Sequence, residues 1–435
     1  NQTTREYWQG LLNELALAHR ACILDSSHLG KPSWIACENL SNLSADQIES
    51  EFIERAVYGL LMHVGPITEE QIFERLGFSI GDIQFALVAL VDSRNYLRGS
   101  FTPSNMVSRV EWCERGLLSR IHRLTIGSLR KQIEAVSPAQ YMDWLFNWQH
   151  VSSLGQLIGE HGTLEVLRQL QGFEIAANAW ETQILPQRVK NYNSTHLDKL
   201  CLTGQVGWGR LSRHPSVFDM QSTTRVTPNG FSPIAFYLRE EGMWYQEQEV
   251  QINKSVLSTQ GKLVLEYLER KGASFFFDIV RSVKLVNAEL ETALWELVTA
   301  GLVTADGFEN MRSIICPRRR QGLGKSKNAS MPRHSPGRWS LLLPEQSENA
   351  GVEAACWMLL RRYGIVFREL LSREVNVPKW RDLLNTFRRM EARGEIRGGR
   401  FINGFIGEQF ASQMAVDSLR ASKTLIPAER EIVIS

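Results

Sequence analysis

The sequence lacks the features that mark several common classes of protein. No run of about 18 apolar residues occurs along its 435 residues, so we expect no membrane span. Its six cysteines are isolated, without a CxxC pair or a Cys/His cluster, which argues against a metal site and a disulfide framework and predicts a reducing cytoplasm. The chain opens at Asn1 with neither an initiating Met nor a signal segment, so we expect it to be a piece of a longer polypeptide.

The charge balance excludes a histone-like polycation. Lys and Arg together number 49 against 47 Asp and Glu, a formal net charge of +2. A nucleic-acid-binding surface must therefore be a local basic patch. The length exceeds what one ordinary core can hold and predicts three or more domains.

One pattern of elements recurs along the chain. Each copy has a helix that ends at a glycine, a short second helix, a longer third helix and a strand that turns at glycine. The clear copies lie at 51–101, 256–308 and 351–405, and a weaker one lies at 154–212. This order is typical of a winged helix, a variant of the helix-turn-helix. We therefore predict a mainly α fold with small β wings, built from tandem winged-helix modules.

The repeats and the changes in composition between them divide the chain into six parts. The predicted domains are an N-terminal helical segment (1–50), a winged helix (51–136), a winged-helix-like module with a Trp-rich helix (137–212), a β-rich segment with a strand near 233–239 (213–255), a winged helix with a long basic loop (256–345), and a C-terminal winged helix with a tail (346–435).

The third helices of the copies differ in charge, which predicts different roles. In a winged helix the third helix suits the major groove and the wing suits the phosphate backbone. In the copy at 256–308 the third helix carries Glu289, Glu291 and Glu296, so we assign it to domain packing or self-association. In the copy at 351–405, Glu391 and Glu395 could cancel nearby cations and leave a solvated face. The alternative is a phosphate-binding face formed by the cations of its third helix and wing, which are Lys379, Arg381, Arg388, Arg389, Arg397 and Arg400.

The strongest basic segment lies between the last two copies and contains many cations, glycines and serines. We interpret it as a loop or long wing that tracks phosphates, giving salt-dependent and largely sequence-independent affinity, although a solvated linker has the same composition. It does not predict an ATP site, because Arg319 stands where a P-loop requires glycine. The cations of this segment include Arg333, and those predicted to contact nucleic acid are Arg318, Arg319, Arg320, Lys325, Lys327 and Arg338.

Most of the tryptophans recur at the spacing of helical core residues, but two of them do not. Trp208 and Trp339 each neighbour glycine and arginine in a predicted turn, with Arg210 beside the first. Such rings could stack on an unpaired base, and burial in a domain core is the alternative. For catalysis the sequence offers no GxSxG, HExxH or zinc-deaminase pattern, so no catalytic residue is assigned.

Several longer motifs resemble one protein family. The segments PGRWSLL (336–342), LLRRYGIV (359–366) and GRFINGFIGEQFA (399–411) resemble the C-terminal region of the large helicase-related (Lhr) proteins. The segments WGRLS (208–212) and SPIAFYLRE (232–240) are similar to motifs of the same family.

The resemblance implies a parent protein that is a bacterial superfamily 2, ATP-dependent 3′-to-5′ DNA helicase active in DNA repair. ATP and Mg would be bound by motor domains upstream of Asn1, and this segment would hold no cofactor. The segment itself would be an array of winged helices plus a small β-barrel-like element. It would bind DNA, adjoin the helicase core and assemble with copies of itself into a tetramer.

Two other functions stay open from the sequence. The first is a winged-helix DNA glycosylase that removes uracil or damaged bases, to which part of the Lhr extension is similar. That chemistry needs a carboxylate beside a slot for the base. The Gln-x-Asp motif of those glycosylases has no convincing counterpart in this chain. The second is a winged-helix transcription regulator, which the dissimilar third helices disfavour because they do not suit one defined operator.

Overall fold

Two compact units make up the chain in the computed structural model, Asn1–Leu129 and Arg130–Ser435, which we call the first and the second unit. Every helix that the structure describes is too short or too polar to cross a membrane. The described residues are 2–24, 33–37, 48–92, 95–102, 109–131, 133–212, 214–227, 231–241, 252–315, 337–342 and 351–423.

The first unit contains a helix, a strand pair and a winged helix. Helix Gln2–Leu17 precedes the antiparallel strands Ala21–Leu24 and Ser33–Ala36, so the segment predicted as helical also contains β structure. The winged helix, here module 1, spans 48–114, and helix Arg115–Lys131 follows it. The helices and strands of module 1 are Ile48–Leu61, Glu69–Leu76, Ile80–Asp92, Tyr96–Gly99 and Glu111–Glu114.

Local sequence signals fix the short second helix of module 1. Thr68 accepts a hydrogen bond from the Gln71 amide, and the Gln71 side chain accepts one from the Thr68 amide, which forms a capping box. Gly77 ends the helix with φ of 78°, a left-handed conformation that glycine adopts without steric cost. The helix buries Ile72 against the core of the module.

The second unit contains three further winged helices. Module 2 spans 159–238 and includes a π-helical turn that continues as a short α-helix. Its elements are Gly159–Gln169, Ile175–Ala176, Trp180–Ile184, Leu185–Arg188, Ser194–Leu202, Val206–Gly209, Pro215–Phe218 and Pro233–Leu238. A separate parallel pair joins Leu157–Ile158 to Val189–Lys190.

Modules 3 and 4 share a first helix, a short strand, a short second helical segment, a longer third helix and two wing strands, and module 3 has an additional helix between its wing strands. Module 3 spans 259–341 and follows a 3₁₀ turn at Lys254–Val256. Its elements are Thr259–Lys271, Ser274–Phe275, Phe276–Val283, Asn287–Ala300, Val303–Ala305, Phe308–Ile315 and Arg338–Leu341. Module 4 spans 352–412, and helix Gln413–Lys423 follows it. Its elements are Val352–Tyr363, Ile365–Val366, Arg368–Arg373, Trp380–Ala392, Ile396–Gly399 and Gln409–Ser412.

All four modules share one strand order, with the third strand between the first and the second. In module 2, Pro233–Leu238 lies between Ile175–Ala176 and Val206–Gly209, and modules 3 and 4 repeat that order. In module 1 a single bridge from Ile67 to Trp112 takes the place of the first strand. This shared order confirms the mainly α fold with small β wings that the sequence predicts.

The predicted barrel-like element is corrected by the structure. In the β-rich segment 213–255 the described strand is Pro233–Leu238, and it completes the sheet of module 2. No closed barrel forms among the residues that the structure describes. The segment reads as a separate β domain in sequence because its partner strands lie before it, at Ile175–Ala176 and Val206–Gly209.

The Trp-rich helix Pro138–Trp148 packs on module 4, whereas its sequence position suggests a place beside module 2. The Tyr141 hydroxyl donates to the Tyr363 carbonyl at 3.1 Å, and the Trp148 indole donates to the Arg361 carbonyl at 2.9 Å. The Trp-rich helix comes close to module 4 at Gly364. The φ angle of this glycine is +67°, and a Cβ added to it would lie 2.2 Å from the Trp144 ring. A glycine is therefore required at this position for conformation and for space.

Candidate nucleic-acid interface

The third helix of module 2 is covered by module 3. On helix Ser194–Leu202, Asp198 accepts from the Arg312 guanidinium at 3.0 Å, and Arg312 also donates to Glu181 at 2.6 Å. Leu202 lies against Gly307. Both side chains of the Arg312–Asp198 pair are at least four-fifths buried. This helix therefore contributes to packing between modules, and the cation on its exposed side, Lys199, pairs with Glu160 at 2.6 Å.

The third helix of module 3 is also a packing element. Every residue from Ala293 to Ala300 is buried. Arg210 donates to the Thr299 carbonyl at 2.7 Å, and the amide of His214 donates to the Ala300 carbonyl at 3.2 Å. Glu296 is buried and accepts from the Ser258 amide at 2.7 Å, which caps the first helix of the module. The second half of this helix thus takes part in domain packing, one of the two roles that the sequence predicts for it, the other being self-association, while its first turn with Glu289 is exposed.

The third helix of module 1 is exposed but carries little charge. In its described part, Phe85 and Val88 are 71% and 62% exposed and lie on one face. Asp82 lies in the first turn, and its carboxylate accepts from the Ser79 hydroxyl at 2.5 Å. An apolar face with a carboxylate does not attract phosphate groups, so this helix is a poor candidate for DNA contact.

The third helix of module 4 combines exposure with positive charge. Leu383, Phe387 and Met390 are fully buried and fix one face of helix Trp380–Ala392 in the core. The opposite face is exposed and polar. Its exposed side chains include Arg381, Asn385, Arg388 and Arg389. This spacing places cations where a winged helix meets a major groove.

Some of the cations on this face have partners within module 4. Arg388 donates to Glu408 of the wing at 2.8 Å, Arg389 donates to the Thr386 hydroxyl at 3.0 Å, and Arg397 donates to Gln413 at 2.8 Å. Lys379, Arg381 and Arg400 are exposed and have no carboxylate within 4.0 Å among the described residues. We call these three the free cations of module 4.

Glu391 and Glu395, the two carboxylates that the sequence suggests as neutralising this face, are engaged elsewhere, whereas Asp382 is exposed in the first turn of the helix. Glu391 is buried and accepts two hydrogen bonds from Arg130, one of them at 2.8 Å from Nε, and a third from the Gly398 amide at 3.2 Å. Glu395 accepts from Arg393 at 2.7 Å. Their negative charges are therefore compensated locally and leave the free cations of module 4 unneutralised.

Other residues predicted from sequence as contact residues lie inside the protein. Trp208 and Trp339 are 0% and 2% exposed, and their rings meet edge to face with centroids 6.5 Å apart. Both rings are therefore buried in a domain core, which is the alternative that the sequence leaves open. Neither ring offers a free face to a base. Arg210 is half-buried against Thr299 and Ser212, and burial lowers the pKa of its guanidinium. Arg338 is exposed and pairs with Asp306 at 2.9 Å.

The predicted basic loop lies outside the described residues. It connects helix Phe308–Ile315 to strand Arg338–Leu341, the position of the wing in module 3. Its cations Arg318, Arg319, Arg320, Lys325 and Lys327 remain predicted phosphate contacts.

Sequence reasoning overlooked one basic surface. Helix Arg115–Lys131 contains no Asp or Glu, and Arg115, Arg120 and Arg123 are exposed on it. The sequence does contain a signal for this surface, because a segment of 17 residues with five cations and no acid is unusual in a chain of balanced charge. The segment was overlooked because it follows a winged helix and belongs to none of the repeats.

A cavity of about 500 Å³ lies beside the third helix of module 3. Its lining includes Glu289, Glu296, Arg225, Gln260 and Thr292. Among the described residues, no group of three or more His, Cys, Asp or Glu side chains is placed to hold a metal ion. The cavity could therefore take a small polar molecule, with carboxylates on its wall.

Comparison with known protein families finds matches for two segments of the second unit, one near its start and one near its end. Two family models described as "Large helicase-related protein, winged-helix domain" match residues 136–223 and 345–430. They cover module 4 and most of module 2.

Two curated relatives match most of the chain. The "Lhr helicase/ probable uracil glycosylase" of Mycolicibacterium smegmatis is 29% identical over 388 residues, which are 84% of this chain and 24% of the relative. The "Lhr helicase/uracil glycosylase" of Escherichia coli is 28% identical over 397 residues, which are 81% of this chain and 24% of the relative. The chain thus spans about a quarter of the length of these relatives.

Proposed function

Starting from its identification as a C-terminal Lhr region with two winged-helix domains of that family, we propose that the chain is a DNA-binding accessory region of a helicase. The observation that carries the proposal is the contrast among the four modules. Among the described residues, the third helices of modules 2 and 3 pack between modules and expose no cation without a carboxylate partner, that of module 1 is apolar, and that of module 4 begins with two such cations, Lys379 and Arg381. Module 4 is therefore the proposed DNA interface.

The geometry of module 4 supports a docking mode in which the third helix faces the major groove. Arg381, Asn385 and Arg388 follow one another at spacings of four and three residues, so they share one face of the helix. Lys379 at the start of the helix and Arg400 at the wing would contact phosphates on either side. Phosphate contacts position a protein without reading sequence, so we expect affinity with weak sequence preference.

The Arg388–Glu408 pair joins the third helix to the wing of the same module. Arg130 also donates to Glu408 at 2.9 Å, so the wing is held by two guanidinium groups. A wing fixed against its recognition helix presents both phosphate-contacting elements in one geometry. Such pre-organisation reduces the ordering cost of binding.

The rest of the proposal concerns the whole protein and rests on the family. We propose that the parent protein is an ATP-dependent 3′-to-5′ DNA helicase of DNA repair that binds ATP and Mg in its motor domains. In this proposal the accessory region adjoins the motor, holds DNA and assembles with copies of itself in the cytoplasm, with a tetramer as the state that the family resemblance implies.

Replacing the free cations of module 4 should weaken DNA binding. In the variant Lys379→Gln/Arg381→Gln/Arg400→Gln, we expect affinity for a DNA duplex at low salt to fall about tenfold or more. In a plot of log K against log salt concentration, each phosphate contact contributes about 0.9 to the magnitude of the slope. The loss of three contacts should therefore reduce that magnitude by about 2–3. Fluorescence anisotropy of the 435-residue chain, with its mass measured by light scattering in the same buffer, tests this.

The matched control is Arg270→Gln/Lys271→Gln/Arg281→Gln, which removes the same charge from exposed positions of module 3. It should bind as the wild type does. An equal loss in both variants would mean that net charge alone governs binding and that module 4 is not the interface. A wild-type chain that binds no DNA at low salt would overturn the proposed function itself.

Uracil removal is a second candidate, favoured by the names of both relatives and by the carboxylates on the cavity wall. Water would replace the base at the sugar carbon, the N-glycosidic bond would break, and a carboxylate would stabilise the developing positive charge on the sugar. Glu289 is the more exposed of the two carboxylates and accepts from the Val286 amide at 3.2 Å, whereas Glu296 is buried and accepts from Ser258.

If the cavity performs this chemistry, the chain should create abasic sites in a uracil-containing oligonucleotide, and Glu289→Gln should slow the reaction about a hundredfold or more. Glu291→Gln, on the same helix, is the control. If the wild-type chain forms no abasic sites, the activity is excluded. If the Glu289→Gln variant forms abasic sites as fast as the wild type, this cavity is excluded as the site of the reaction.

A further inference from the structure

Helix Arg115–Lys131 is the most unevenly charged helix that the structure describes in the first unit. Its 17 residues include five cations and no carboxylate, and the last two of them, Arg130 and Lys131, belong to the second unit. Arg115, Arg120 and Arg123 are exposed, and no described carboxylate lies within 4.0 Å of their guanidinium groups. A surface of this kind attracts anions and has no internal partner to compensate it.

The three arginines share one side of the helix. At about 100° per residue they fall within an arc of about 140°, and they extend about 12 Å along the helix axis. That length is comparable with the width of the DNA major groove, which is about 12 Å. The guanidinium groups could therefore contact several phosphates at once.

The opposite side of the helix faces its own unit. Leu117, Leu118 and Ile121 are half-buried, and the Ile121 side chain lies 3.5 Å from the position that a Cβ on Gly65 would occupy. A basic amphipathic helix that lies on a membrane needs this apolar side free to enter the lipid. Because these three side chains are half-buried against protein, with Leu124 as the exposed apolar residue beside them, little of this side is free to enter lipid. The helix is therefore better suited to a polyanion than to a membrane surface.

The carboxylates nearest in sequence are used to hold the backbone. Glu114 accepts from the amides of Gly116 and Leu117, the first of them at 2.6 Å, and so caps the start of the helix. Glu111 is buried and accepts from the Phe101 and Thr102 amides at 2.7 and 2.8 Å. Both carboxylates at the base of the wing are therefore occupied by backbone amides, Glu111 in the interior and Glu114 at the start of the helix.

We propose that Arg115, Arg120 and Arg123 form a second nucleic-acid-binding surface, which contacts the phosphodiester backbone. The inference rests on the proposed DNA-binding function but concerns a different unit from module 4. In module 1 the usual interface, the third helix, is apolar, and the helix after the wing supplies the cations instead. The chain thus holds nucleic acid through both of its units.

The test uses the whole chain with the variant Arg115→Gln/Arg120→Gln/Arg123→Gln. We expect affinity for duplex DNA to fall about tenfold and the salt slope to fall by about 2–3 between about 50 and 200 mM salt. Combination with Lys379→Gln/Arg381→Gln/Arg400→Gln should add the two losses in free energy, since the sites share no residues. The variant Arg270→Gln/Lys271→Gln/Arg281→Gln again controls for net charge.

The possible results separate this inference from the proposed function. If the helix variant binds as wild type while the module 4 variant is weakened, the second surface is rejected and the proposed function stands. If the helix variant is weakened and the module 4 variant is not, the second surface stands and the module 4 interface is rejected. A helix variant that loses binding to phosphatidylserine vesicles and keeps DNA binding would assign the surface to membranes and overturn the inference.

Discussion

Replacing Arg362 by Met is expected to lower the free energy of unfolding of the second unit by about 3–5 kcal/mol. The side chains of Arg362 and Glu374 are 1% and 3% exposed and form an ion pair. Removal of the arginine would leave the Glu374 carboxylate buried, with the Tyr363 hydroxyl at 2.7 Å as its remaining described hydrogen-bond donor. An uncompensated charge in a low-dielectric interior is strongly unfavourable.

The pair also links two modules. Arg362 donates to the Gln171 carbonyl at 2.5 Å and lies 5.1 Å from the centre of the Phe173 ring, so a residue of module 4 is bound to the chain that follows the first helix of module 2. Urea denaturation followed by tryptophan fluorescence measures the loss. We expect the module 4 part of the transition to move to lower urea concentration.

A double variant isolates the effect of charge. Glu374→Gln alone leaves the Arg362 guanidinium buried without its carboxylate, and it should lower the free energy of unfolding about as much as Arg362→Met does. Arg362→Met/Glu374→Gln leaves no charge buried and keeps an acceptor for the Tyr363 hydroxyl. The double variant should therefore be more stable than either single variant. If the two single losses simply add, the pair contributes no coupling and the explanation is wrong.

The four modules differ in how far their third helices are exposed because of a few side chains. In modules 2 and 3, Arg312 and Arg210 donate to residues of third helices and bring those helices into contact between modules. In module 4 the third helix keeps its exposed face, since Arg130 and the wing bind its far end through Glu391 and Glu408. Packing thus determines which copy remains free to bind.

The repeated fold could be predicted from local signals. Glycine stops such as Gly77 and Gly364 and the spacing of Leu383, Phe387 and Met390 mark helices whatever their surroundings. The family resemblance read from the motifs is likewise confirmed by the winged-helix matches over 136–223 and 345–430.

The remaining features depend on contacts between residues far apart in sequence. Strand Pro233–Leu238 pairs with strands that precede it by more than twenty residues, so its membership of module 2 is not visible locally. The place of the Trp-rich helix is fixed by Tyr141 and Tyr363, which are 222 residues apart.

The cationic face of module 4 could be predicted as a set of residues but not as a surface. The sequence shows Arg388 and Glu408 as separate charges, and only the fold brings them to 2.8 Å. It also shows Glu391 beside the arginines, whereas in the structure this carboxylate is buried and bound to Arg130. Which cations stay free therefore depends on tertiary contacts.

Trp208 provides the second large expected effect, because its burial overturns the binding role that its neighbours suggest. The ring is 0% exposed and meets Phe308 edge to face at 5.6 Å and Trp339 at 6.5 Å. Trp208→Ala should therefore cost about 3–5 kcal/mol in the free energy of unfolding of the second unit, through lost burial and the cavity left behind. Calorimetry or urea denaturation measures this loss.

Trp208→Phe distinguishes a core residue from a base-stacking residue. The indole N–H of Trp208 is buried without a hydrogen-bond partner among the described atoms, so Phe removes an unsatisfied donor while keeping an aromatic ring. We expect Trp208→Phe to recover most of the stability lost in Trp208→Ala and to bind single-stranded DNA as the wild type does. A stable Trp208→Ala chain with weakened single-strand binding would instead place the ring at a nucleic-acid surface, since a stacking residue contributes to affinity and little to folding.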